Sequence, residues 1–209
     1  MVIGNSRVRV VGLGGTLGRN SINLWALERA LRAAEDAGAK VDLLSLNDLN
    51  LPMFQPDLRY EDTDGSVHKL IDTVRKADAM LWSTAVYHGT LAGVTKNALD
   101  YLEYTRTDTH RPYLTNVIIG LIATAGGETG SGNAINAMMH IVQSMYGIMV
   151  PRTVGIERAG KAWDKDGNVL DDYIGDRLDM LGKLVVDTAH RLHGKEIFST
   201  DTAYADFNW

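Results

Sequence analysis

Two clusters of glycine stand out along the chain, at residues 12–18 and 126–132, each directly after an apolar run. Glycine lets backbone approach a ligand closely and accepts turns closed to other residues, so both clusters read as binding loops. The first continues as Gly14-Gly15-Thr16-Leu17-Gly18-Arg19-Asn20-Ser21 and opens a helix. Unpaired N–H groups at a helix start, together with the helix dipole, favour an anion such as a phosphate. Around Asn20, the hydroxyls of Thr16 and Ser21 and the guanidinium of Arg19 add donors of the right kind. This is not the lysine-bearing loop of nucleoside triphosphatases, because no Gly-Lys-[Ser/Thr] is present. Nor is it a dinucleotide fingerprint, since Leu17 stands where the third glycine belongs. A tight turn capped by Ser21 is the plainer alternative.

Two further loops follow apolar runs. One reads Ser83-Thr84-Ala85-Val86-Tyr87-His88-Gly89-Thr90, the other Thr124-Ala125-Gly126-Gly127-Glu128-Thr129-Gly130. Tyr87 and His88 could line a site, or serve as a packing aromatic and a solvated loop residue. Glu128 reads as solvated. Gly127 is expected to be glycine for clearance or for a positive φ. The chain has no cysteine, which excludes disulfides, thiolate metal sites and cysteine nucleophiles. Asp164-Lys165-Asp166-Gly167-Asn168 starts like a calcium loop but lacks its closing glutamate, so a polar hairpin between Trp163 and Val169 is the better reading. His190 and His193 lie three apart with no acidic third ligand, and no metal site is expected. Lys96 and Asp100, four apart on a helix, suit a surface pair. Arg106, His110 and Arg111 form a basic cluster, either solvated or facing a phosphate.

The elements that must position these loops follow from hydropathy. Apolar runs at Arg7–Leu13, Val41–Leu46, Ala79–Thr84, Asn116–Ala123 and Met149–Val154 read as buried strands. Helical spacing appears over Ser21–Ala37, from Gly65-Ser66 onward, and over Gly93–Tyr104, Asn133–Tyr146 and Asp176–His193. Continuous apolar strands alternating with helices imply an α/β fold with a doubly wound parallel sheet, and five strands fit the order 2-1-3-4-5. Ligands of such sheets lie beyond the carboxyl ends of the strands where the order reverses. That places the loops after strands one, three and four together. The 209 residues make one domain, with a 1–6 extension and a 195–209 tail. A net charge of −5 without a basic face argues against nucleic acid. No run approaches the roughly 20 apolar residues of a membrane span, and no signal pattern opens the chain, so a cytoplasmic location is expected.

The second loop and its helix carry a resemblance. Thr84, Tyr87, Gly93, Lys96, Asn97, Ala98, Leu99 and Asp100 match the NAD(P)H-dependent FMN reductases, a flavodoxin-like group that includes chromate, quinone and azo reductases. That group carries Thr-Pro-x-Tyr, five residues, Gly-x-x-Lys-Asn-Ala-[Leu/Ile]-Asp; Ala85 replaces the proline. Thr16, Arg19 and Ser21 resemble the group's first loop, Gly126-Gly127 its third, and Leu51-Pro52-Met53-Phe54 the segment after strand two. The resemblance spans roughly residues 8 to 193. It implies a flavodoxin-like fold and FMN and NAD(P)H as cofactors. The implied FMN contacts are Thr16, Arg19, Asn20 and Ser21 at the phosphate, and Thr84, Ala85, Val86, Tyr87, His88, Gly89, Thr124, Gly126 and Gly127 around the ring. It also implies hydride transfer from nicotinamide to flavin N5, then electrons to a small acceptor: a quinone, azo compound, metal oxyanion or free flavin. No side chain is implied as catalytic. A homodimer or homotetramer is implied, with Leu99 and Leu102 of the Gly93–Tyr104 helix presenting apolar surface. Were FMN released as a substrate, a flavin-dependent monooxygenase would be the partner. The competing reading is a flavodoxin-like electron carrier without NAD(P)H activity.

Overall fold

The computed structural model describes residues 7–18, 20–109 and 111–192. The 1–6 extension, Arg19, His110, His193 and the 195–209 tail lie outside the described residues. The chain runs β1 (Arg9–Gly14), α1 (Ile22–Asp36), β2 (Lys40–Ser45), the single-turn α2 (Leu46–Leu49), α3 (Gly65–Val74), β3 (Ala79–Tyr87), β4 (Thr90–Leu91), α4 (Gly93–Asp100), β5 (Ile118–Thr124), α5 (Ser131–Ser144), β6 (Ile148–Ile156) and α6 (Asp172–Leu192).

The sheet order is β2-β1-β3-β5-β6, all parallel, and β4 pairs antiparallel with the end of β3. This is the expected five-strand order with one short strand added. Alternate side chains of each strand feed two separate cores. Val10, Ala79, Leu81, Ile118 and Ile122 face α1 and α6, whereas Leu13, Met80, Trp82, Ile119 and Leu121 face α3, α4 and α5. Burial on both faces is why the strands read as unbroken apolar runs. The outer edge strand β6 carries Pro151 at an irregularity in its register with β5, and Arg177 of α6 donates to the Thr153 and Gly155 carbonyls at 3.3 Å. A proline, a register break and a guanidinium on the carbonyls all disfavour pairing with another chain.

Three expectations need correction. The helix expected over Gly93–Tyr104 ends as α at Asp100 and continues as a 3-10 turn, Tyr101–Thr105. The tighter turn brings the Tyr101 and Tyr104 hydroxyls onto the Pro52 and Leu58 carbonyls, at 3.2 and 2.6 Å. Leu99 and Leu102 present no surface to a partner, because both are buried within their own core. Arg111 is not a free cation: its guanidinium donates to the Ala77, Val74 and Arg75 carbonyls at 2.6, 2.8 and 2.7 Å, closing the C-terminus of α3. Burial lowers its pKa below the ordinary guanidinium value. Two other expectations stand. Trp163 and Val169 bridge antiparallel around a turn held by the Asp164 carboxylate, which accepts the Asp166 and Asn168 N–H groups at 2.8 Å each. Lys96 pairs with Asp100 at the surface.

Arg111→Leu is therefore expected to lower stability by about 2 kcal/mol or more, since three carbonyls lose a charged donor. Arg106→Ala, which removes only an exposed pair with Glu103, should cost no more than about 0.5 kcal/mol. Urea unfolding midpoints at unchanged slope measure both. Equal losses would mean that Arg111 does not hold α3.

Candidate active site

The strand order reverses between β1 and β3. The chain leaves β1 toward β2 on one side, then returns past β1 to β3 on the other. The carboxyl ends of β1, β3 and β5 open on one edge of the sheet. The three loops singled out by sequence follow those ends.

The first loop begins where β1 presses on β3. A Cβ on Gly14 would lie 2.5 Å from the Ser83 carbonyl oxygen, so only glycine allows this approach. Gly15 follows at φ +97°, a left-handed conformation that suits glycine. Its N–H donates to Asn23 Oδ1 at 2.8 Å. Thr16 Oγ1 accepts from the Gly18 amide at 3.2 Å, and Ser21 caps α1, its Oγ accepting from Leu24 N at 3.2 Å. The capping role considered for Ser21 is thus real. Both hydroxyls keep a proton to donate, and the first N–H groups of α1 have no partner within the helix. Asn20 is exposed beside them.

The second loop differs from expectation in kind. β3 does not stop at Thr84 but runs on to Tyr87, turns at His88-Gly89 and returns as β4, with Val86 opposite Leu91 and Tyr87 opposite Thr90. His88 and Gly89 take φ of 52° and 80°, the pair of positive values that a two-residue hairpin needs. Ala85, where the resembling group has proline, keeps its N–H and stays in register with Thr124 of β5. Tyr87 is 56% exposed at the hairpin tip. Thr84 is fully buried: its Oγ1 meets Thr95 Oγ1 at 3.0 Å and accepts the Ala92 amide at 3.0 Å, fastening the hairpin to the start of α4. Asn97 of α4 accepts the Phe54 amide at 2.8 Å and donates to the Pro52 carbonyl at 2.7 Å, clamping the segment after β2. Much of the motif that carries the resemblance is therefore internal framework.

The third loop leaves β5 with Thr124 and Ala125 buried and Gly126 and Gly127 exposed. A Cβ on either glycine would meet no protein atom within 4 Å, and neither has a positive φ. The backbone conformation thus does not demand glycine there, and the space beside both residues is open. Gly130, at φ +121°, rests against Val86 of the hairpin, so the second and third loops touch. The loop is held from below by the turn that follows β6: Arg158 N and Ala159 N donate to the Gly127 and Ala125 carbonyls at 2.7 and 2.9 Å. Glu128 is exposed and pairs with Arg158.

Three contributors were missed in the sequence. Asn23 ties the first loop to β3. Glu157 caps α5, its Oε1 accepting Ser131 N and Oγ at 2.9 and 2.7 Å, which starts the helix two residues before the expected Asn133. Arg158 supports the third loop. No local pattern announces any of them, because each acts on a partner distant in sequence.

Residues 8–161 match the family described as NADPH-dependent FMN reductase. The chain belongs to that family. As a member it is an oxidoreductase with FMN and NAD(P)H as its cofactors. It is 27% identical over 169 residues to an NAD(P)H-dependent FMN reductase of Pseudomonas aeruginosa, covering 79% of this chain and 86% of that protein. It is 29% identical over 208 residues to a probable NADPH:quinone oxidoreductase of Oryza sativa subsp. japonica, covering 94% and 96%. The flavoenzyme NAD(P)H:(acceptor) oxidoreductase of Paracoccus denitrificans superposes with a TM-score of 0.70 at 24% identity, over 88% of this chain and 98% of that one, which bears on the fold. In this flavodoxin-like reductase no described helix is long and apolar enough to cross a membrane.

Among the described residues, other sizeable clefts lie away from these loops. A groove of about 600 Å³ lined by Met139, His140, Tyr146 and Met149 sits at the opposite end of the sheet, where β5 and β6 begin. A cleft of about 690 Å³ beside Phe54, Tyr60 and Tyr104 is bordered by Arg75, already paired with Asp108 at 2.9 Å.

If Thr84 is framework, Thr84→Val keeps the shape but leaves the Ala92 amide without its acceptor, and should cost about 1–3 kcal/mol. Amide exchange across Val86–Leu91 should accelerate along with the lowered melting temperature. A Thr84→Val protein of unchanged stability would contradict the assignment.

Proposed function

We propose that the three loops at the switch point between β1 and β3 hold FMN, and that the enzyme passes electrons from NAD(P)H through it to a small acceptor. The observation that carries this reading is the combination of an anion-ready helix start with an open third loop on the same edge of the sheet. The start of α1 offers N–H groups and the Thr16, Asn20 and Ser21 side chains to a phosphate, with Arg19 in the same loop. The backbone from Ala85 to Gly89 supports a ring from one side, with the exposed Tyr87 beside it. Gly126 and Gly127 leave the space a flat ring needs. Thr84 and Thr124 are buried behind these surfaces, and Thr84 fastens the hairpin to α4. When bound, FMN supplies the redox chemistry, accepting a hydride from the nicotinamide and yielding two electrons to the acceptor. The protein then has to bind, orient and exclude water, for which no acid–base side chain is required.

A quinone, azo compound, metal oxyanion or free flavin suits an open ring face, and the rice quinone oxidoreductase relative favours a quinone. Assembly as a homodimer or homotetramer and a cytoplasmic location belong to the same reading. The competing electron-carrier reading also needs FMN but no response to nicotinamide. Anaerobic addition of NADPH to the FMN-loaded protein separates them: the visible absorbance of the flavin should bleach within turnover times. Flavin that stays oxidised would favour the carrier.

Gly127→Val tests the ring position. Its Cβ meets no protein atom and its φ is not left-handed, so fold and melting temperature should stay near wild type. FMN occupancy and NADPH oxidation should fall together. Full occupancy with full activity would put the ring elsewhere.

A further inference from the structure

Asn23, the second residue of α1, is 2% exposed and makes three hydrogen bonds, one to the first loop and two to Ser83. Its Oδ1 accepts the Gly15 amide of the first loop at 2.8 Å. Its Nδ2 donates to Ser83 Oγ at 2.6 Å, and Ser83 Oγ donates back to the Asn23 carbonyl at 3.1 Å. Ser83 is fully buried and immediately precedes Thr84, the base of the hairpin. The pair thus joins the first loop, the start of α1 and the middle of β3, just before the hairpin, into one unit. Gly14, pressed on the Ser83 carbonyl, closes it from the other side.

Buried polar pairs add little net stability over apolar residues of the same shape, but they fix geometry. What this pair fixes is the position of the first loop against the second. The Gly15 amide is turned inward to Asn23, while Asn20 of the same loop is exposed and Thr16 half-buried.

We infer that Asn23 is a positioning residue for the cofactor: through Ser83 it holds the phosphate-binding loop at a set distance and angle from the ring-binding hairpin, so that both ends of one FMN molecule are met at once. The inference rests on the reading that the first loop takes the FMN phosphate. Asn23 itself, being buried, touches no ligand.

The test is the ratio of riboflavin to FMN dissociation constants, read from flavin fluorescence, beside the melting temperature. Riboflavin lacks the phosphate but fills the ring site. Wild type should bind FMN more tightly than riboflavin. Asn23→Ala should reduce that preference by about tenfold, the loss of one well-placed buried hydrogen-bond pair, with riboflavin affinity little changed. Ser83→Ala should reduce it in the same direction, and the double variant should lose less than the two single losses combined, because one network is removed. A lowered melting temperature with an intact FMN preference in Asn23→Ala would overturn the inference and leave Asn23 a packing residue. If Asn23→Ala does not fold, an intact preference in Ser83→Ala overturns it equally. Wild-type protein that binds riboflavin and FMN alike would instead refute the phosphate assignment on which the inference stands.

Discussion

At the switch point β1 and β3 come close enough that Gly14 meets the Ser83 carbonyl, an approach that any side chain at residue 14 would prevent. The site's geometry depends on this contact. It sets how near the first loop lies to the hairpin that extends β3, and the Asn23–Ser83 hydrogen bonds hold the two at that separation. A parallel sheet opens a crevice wherever its strand order reverses. The polar bridge beneath this crevice turns the Gly15 amide inward and ties the first loop to β3.

The third wall is supported differently. Gly126 and Gly127 follow β5 with open space where a Cβ would stand, and their stiffness is borrowed from Arg158 and Ala159 in the turn after β6. Glu157 sits next to Arg158 and anchors the start of α5, so residues 157 to 159 fasten both ends of the loop. The exposed Glu128–Arg158 pair adds little to stability in water, and the backbone bonds are the firmer tie. Pre-set walls of this kind suit an enzyme whose cofactor carries the chemistry and whose protein supplies orientation.

Strand order, the alternation of helices and strands, and the three loops at one edge were legible because each depends on local hydropathy and on a general rule of parallel sheets. The roles within the most recognisable stretch were not. Thr84, Asn97 and Asp100 match the family pattern, yet Thr84 ties the hairpin to α4, Asn97 clamps Pro52 and Phe54, and Asp100 pairs with Lys96. A motif records which residues recur together, not whether they face a ligand or each other. The extension of β3 into a hairpin was also unread. The His88-Gly89 turn needs two positive φ values, and the strand-forming tendency of Val86, Tyr87 and Thr90 was hidden inside what looked like a loop. Arg111 read as surface charge because nothing in its neighbours in sequence reveals the α3 carbonyls that it closes.

The central claim is that one crevice, walled by these three loops, holds the cofactor. An NMR titration of ¹⁵N-labelled apoprotein with FMN tests it most directly, because each backbone amide reports for itself. The account predicts that the largest shifts fall on residues 15–22, 85–90 and 125–131, with a smaller response at 157–159 behind the third loop. Shifts concentrated at the groove beside Met139 and Tyr146, or at the cleft beside Tyr60 and Tyr104, with the three loops unmoved, would contradict it.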